Sequence, residues 1–167
     1  MTGRIFGAVA ALLAMVAMPA PAQARLQCVA FARAHSAVQL SGNAREWWSN
    51  AAGTYSRGQA PRPGAILAFR GSSVMPMGHV AVVRAVVDSR HLLIDHANWS
   101  RPGMVERGVM AVDVSSAGDW SAVRVWYAPT GSLGLRAAPA FGFIYPVGSP
   151  ETASPETASR EDGRAKG

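Results

Sequence analysis

The chain of 167 residues is 49% hydrophobic and carries 16 Lys plus Arg against 10 Asp plus Glu, a formal net charge of +6 at pH 7. That much apolar sequence over that length fits one ordinary domain with a real core. A single cysteine excludes an intrachain disulfide, and the basic excess suits an anionic polymer or a membrane surface without choosing between them.

In chain order, residues 1–24 (MTGRIFGAVAALLAMVAMPAPAQA) begin with Arg4, run apolar over 5–18, break at Pro19 and Pro21, and end on Ala22-Gln23-Ala24. This is the pattern of a secretory signal peptide cleaved after Ala24. The apolar run is too short and too poorly flanked to span a bilayer. A periplasmic or secreted protein with no stable membrane insertion after cleavage is therefore expected. Arg25, Leu26 and Gln27 before Cys28 do not resemble the small residues of a lipobox. The spacing predicts a helix from about Cys28 to Val38, with Cys28, Ala32 and His35 on one face. A second short helix is expected in NAREWWSNAA, ended by Gly53, and YSRGQAPRPG reads as a loop. The strand candidates follow: AILAFR, HVAVVRAVV, LLIDHANW, VMAVDVS, AVRVWYA and a late FGFIYP. Helices first and strands second argue for an α+β fold with an antiparallel sheet. Residues 149–167 repeat SPETA and lack apolar periodicity, so they are expected to be a disordered tail, leaving 25–148 as the domain. No basic and aromatic interleaving marks a nucleic-acid site, and a monomer is expected.

The lone Cys28 at a helix start is the one feature of this composition that calls for chemistry. A thiol acts as a nucleophile when a helix N-terminus and an imidazole help it ionise, and its own N–H can face an oxyanion. Four histidines are available: His35, His79, His91 and His96. In MGHVAVVRAVVDSRHLLIDHANW two strands meet near Asp88, Ser89 and Arg90. A two-residue loop would pair Asp88 with His91, putting Ala81 opposite Asn98 and Val83 opposite His96. His79 then shares a face with His96 and Asn98, and Asp95 points away. A slip of one residue reverses this and brings His79 to Asp95. A Cys–His pair needs a third group to orient the imidazole, and Asn98, His96 and Asp95 remain open for it. His91 reads as a solvated turn residue and His35 as a weaker rival of His79.

The blocks LQCVAFAR, GNAREWWSNAAGTYSRG, PRPGAILAF, GHVAVV and HANW, in this order, resemble the CHAP-domain cysteine amidases and peptidases. The later GDWSAVRVWY is similar to their proteobacterial branch. The resemblance implies a papain-like, NlpC/P60-type α+β fold with N-terminal helices packed on an antiparallel sheet. It implies a secreted hydrolase of peptidoglycan amide bonds, either a muramoyl-alanine amidase or a stem-peptide or cross-bridge endopeptidase. By motif, Cys28 matches the nucleophile and His79 the base. Asn98 matches an asparagine two residues after a position that is often glutamate, here His96. Trp47 and Trp48 are adjacent on a helix, so one is expected in the core and the other on a cleft wall; Trp99 is expected to shield the imidazole. No cofactor or metal is expected. The rival readings are a non-catalytic cell-wall-binding module and a metal-binding protein using Met75, Met77 and His79, since thioethers with imidazole suit copper.

Overall fold

A computed structural model describes residues 27–148. The expected signal peptide and tail lie outside the described residues. Helix α1 (Cys28–His35) starts after Gln27, whose extended backbone (φ −93°, ψ 153°) breaks the helical path while its carbonyl accepts the first helical hydrogen bond from Phe31 at 3.0 Å. The helix stops at His35 because Ser36 turns extended; Val38 still reaches the core through the following irregular segment. A 3-10 turn (Ala44–Glu46) leads into α2 (Trp47–Asn50), and Asn43 and Glu46 close it as a capping box.

Among the described residues, eight strands follow: β1 (Arg57–Gly58), β2 (Ile66–Phe69), β3 (His79–Val86), β4 (His91–Ala97), β5 (Val105–Asp113), β6 (Ala122–Tyr127), β7 (Ser132–Leu133) and β8 (Ala138–Ile144). Every pairing is antiparallel. Strand β8 bonds to β2 on one side and to β6 on the other, so β8, β2, β3, β4, β5 and β6 close into a six-stranded barrel.

This corrects the expectation of a papain-like α+β fold with helices layered on an open sheet. The two α-helices among the described residues are short, eight and four residues, and a closed barrel carries most of the described structure. Closure removes the two free edges that an open sheet would leave at β8 and β6. Leu67, Phe69, Ala81, Val83, Leu92, Ile94, Trp120, Val123 and Phe143 fill the interior. The alternate residues of β2 and β3, Ile66, Ala68, Val80 and Val82, face outward and are covered by Phe31, Ala32 and Trp47 of the helical segment. Both faces of these strands are therefore dry, which is why AILAF and HVAVV read as nearly continuous apolar runs.

Candidate active site

Cys28 is the first residue of α1, and the helix lies on β3 and β4. The backbone N–H groups of Val80, Val29 and Cys28 itself favour its thiolate, but burial is the larger effect and pushes the thiol above its ordinary 9.0. His79 opens β3 immediately after Gly78, and the two residues line the same cleft as Cys28 and Asn98, an open space of about 1500 Å³. Gly78 has φ +68°, and a Cβ there would lie 2.7 Å from the Arg45 nitrogen and 2.8 Å from the Phe69 carbonyl oxygen. Only glycine lets the chain enter β3 at this place. Arg45 N–H bonds the Met77 carbonyl at 2.8 Å and ties the 3-10 turn to the same junction.

Behind His79 runs a buried polar chain. His79 Nε2 and His96 Nδ1 are 3.0 Å apart. His96 Nε2 faces Glu106 Oε2 at 3.5 Å, a close approach that stops short of a formed hydrogen bond. Ser100 donates to Glu106 from Oγ at 2.8 Å and from its N–H at 3.2 Å, and Ala128 N–H caps the Ser100 hydroxyl at 3.0 Å. His79, His96 and Glu106 are 3%, 0% and 5% exposed, so the chain works in a low dielectric. Burial first, then the neighbouring His96, holds the His79 pKa well below its ordinary 6.5. Burial would raise the Glu106 carboxyl, but the nearby His96 and the bonds from Ser100 outweigh it and leave the pKa below 4.5.

These partners assign the tautomers. Ionised Glu106 can only accept, so the Nε2 of His96 that faces it carries hydrogen. His96 Nδ1 is then a lone pair and accepts from His79 Nε2–H. The basic lone pair of His79 is left on Nδ1, the ring nitrogen that His96 does not engage. Trp99 covers the pair, 4.9 Å from the His79 ring and stacked at 5.8 Å and 27° on His96, while Phe69 lies 5.8 Å from His79.

The structure thus places Cys28 and His79 on one cleft, with His96 behind His79. It gives Asn98 other work. Asn98 Nδ2 donates to Gln27 Oε1 at 3.0 Å, and its Oδ1 accepts from Gly103 N–H at 2.9 Å, in a left-handed turn with φ 65°. It therefore holds the residue before Cys28 rather than the imidazole. Asp95 faces away from His79, bonded to Gly108 N–H at 2.6 Å. His35 stacks on Phe31 and meets Arg107 at 3.0 Å, and His91 bonds Asp88 at the turn. Of Trp47, Trp48 and Trp99, the three weighed as candidates for the substrate cleft, Trp99 lines it and the other two do not. Trp47 is fully buried in the core, and Trp48 stacks on Phe141 at 5.5 Å under the Arg57 guanidinium. Met75, Met77 and His79 all line the cleft, with Met77 54% exposed and His79 Nε2 engaged by His96.

Sequence reasoning missed Glu106 and Ser100. It began β5 at Val109, whereas the strand starts at Val105. The available signal was Gly108, because a glycine inside a strand pattern marks a bulge across which the strand continues.

No curated protein matches the chain. Residues 19–98 match the family model of the CHAP domain, a stretch that contains Cys28, His79, His96 and Asn98 and ends before Glu106. CHAP domains are generally hydrolases that act on peptidoglycan. Residues 19–98, just under half of the chain, are thus similar to the CHAP domain, and Cys28 at its helix start and His79 at its strand start both lie in that stretch.

Proposed function

We propose that this protein is an exported peptidoglycan hydrolase that cleaves amide bonds through Cys28. The single observation that carries this is the His79–His96–Glu106 chain, which leaves one basic imidazole nitrogen in the cleft that Cys28 lines. The resting pair is a neutral thiol and a neutral imidazole, because burial disfavours charge on both. Attack on the scissile carbonyl is therefore general-base assisted: His79 Nδ1 takes the thiol proton as Cys28 Sγ bonds to carbon. The tetrahedral oxyanion meets the Cys28 backbone N–H at the start of α1. The imidazolium that forms is stabilised through His96 by Glu106, then returns its proton to the leaving amine. Water, activated by the same nitrogen, hydrolyses the thioester and frees Cys28.

Export and a periplasmic or extracellular site of action belong to this reading, supported by residues 1–24. The bond cut is either that between the glycan lactyl group and the first alanine or one within the stem peptide or cross-bridge. Digestion of purified peptidoglycan followed by mass spectrometry separates these. Cys28→Ala and His79→Ala should each lower turnover by several orders of magnitude without unfolding the protein. Wild-type rates in Cys28→Ala would overturn the reading.

A further inference from the structure

The polar chain exists only because two strands carry bulges at the right places. Near its turn, β3 pairs with β4 as Val86 with Leu92 and Ala85 with Leu93; beyond the bulge it pairs as Val83 with Ile94 and Val82 with Asp95. Arg84 is the extra residue. On the other side β4 pairs Ile94 with Val109, then His96 with Glu106, so Arg107 and Gly108 together oppose Asp95. Residues directly opposite in an antiparallel pair share a face, and each bulge exchanges the faces beyond it. With no bulge at Arg84, Val83 would oppose Asp95, and His79 would share a face with Asp95 instead of His96. With no bulge at Gly108, His96 would oppose Arg107 instead of Glu106.

Both bulges converge on one carboxylate. Asp95 Oδ1 accepts from Gly108 N–H at 2.6 Å and meets Arg84 Nη1 at 3.5 Å, and Oδ2 lies 3.8 Å from Arg107 Nη1. The Asp95 side chain is 16% exposed, so these contacts are only partly screened. Gly108 has φ +61°, the backbone a bulge of this kind needs, and its N–H, displaced from the ladder, is satisfied by Asp95. We propose that Asp95 is the positioning residue of the active site: from the opposite face of β4 it holds the bulges at Arg84 and Gly108 that set His79, His96 and Glu106 in line. The inference rests on the catalytic reading for its effect on rate, but its geometry stands independently of that reading.

The test uses nitrogen NMR of the protein together with turnover on soluble peptidoglycan fragments. In the wild type the proton shared by His79 and His96 should be seen as a downfield, slowly exchanging imidazole signal, absent in His96→Ala. Asp95→Ala should lose this signal and lower kcat by about 100-fold with little change in KM, as a displaced base would. Asp95→Asn keeps an oxygen for Gly108 N–H and should retain the signal and most of the rate. A stable protein that merely lost an ion pair would not show this rescue pattern. If Asp95→Ala does not fold, Asp95→Glu replaces it, because its longer arm moves the carboxylate off Gly108 and should lose the signal too. An unchanged His79–His96 signal in the folded variant overturns the proposal, even if the protein proves to cleave nothing. Loss of the signal with no cleavage by the wild type would overturn only the catalytic reading.

Discussion

His79 donates to His96, not to Asn98, and this sets the order of mutational effects. Removing His96 leaves His79 without its buried acceptor and breaks the link to Glu106. His96→Ala should lower turnover by on the order of 10- to 1,000-fold, with Glu106→Gln somewhat less damaging. Asn98→Ala should act more weakly, through Gln27 and its own left-handed turn. Kinetics on one soluble fragment for the three variants check the order; Asn98 as the most damaging site would refute it. The same burial sets the pH dependence. His79 takes up a second proton only well below 6.5, so the acid limb of kcat/KM should have its midpoint below 6.5. Stability follows with the same sign. Below 6.5 the unfolded chain protonates this histidine before the folded one does, so folding free energy falls as pH falls. Glu106, also depressed, adds a second loss as pH drops through and below 4.5. Urea midpoints measured from pH 7 to pH 4 should decline steadily.

At the scale of elements, Cys28 and His79 each sit where an element begins. Gly78 admits β3 beside the 3-10 turn, and Cys28 meets β3 from the first turn of α1. Gly78→Ala would drive a Cβ into the Arg45 backbone and the Phe69 carbonyl in a conformation that alanine rarely adopts. A loss of about 1–3 kcal/mol in chemical denaturation is expected. The rate should fall as well, because the next residue is the base. The β3–β4 turn carries a further lesson. A two-residue loop predicts that His79 shares a face with His96. The actual loop has three residues, 88–90, with Val87 N–H bonded to the His91 carbonyl at 2.9 Å, and by itself it gives the opposite face. The bulge at Arg84 then restores it. The expectation about the face held because two one-residue shifts added, and neither shift was legible from local propensity.

For the whole molecule, barrel closure is the dominant fact. Phe143 of β8 is fully buried and meets Trp120 edge-on at 5.6 Å in the interior. Phe143→Ala should destabilise by about 3–5 kcal/mol, read from equilibrium unfolding, although residue 143 lies outside the span that matches the CHAP model. A smaller loss would mean that the interior collapses around the gap.

The sequence by itself determined the parts whose information is local. Cys28 at a helix start, His79 at a strand start, the order of elements and their apolar faces all follow from residues within a few positions of one another. It also confined the candidates for the imidazole's partner to Asp95, His96 and Asn98. The tertiary structure alone decided that β8 returns to close against β6, that His96 rather than Asn98 receives the His79 proton, and that Glu106 stands behind it. The reason is physical. Strand pairing is set by backbone hydrogen bonds between residues far apart in the chain, and one inserted residue turns every later side chain to the other face. Asp95 was visible in the sequence as a candidate for the imidazole's partner; only the folded sheet turns it outward, onto the bulges that aim that imidazole.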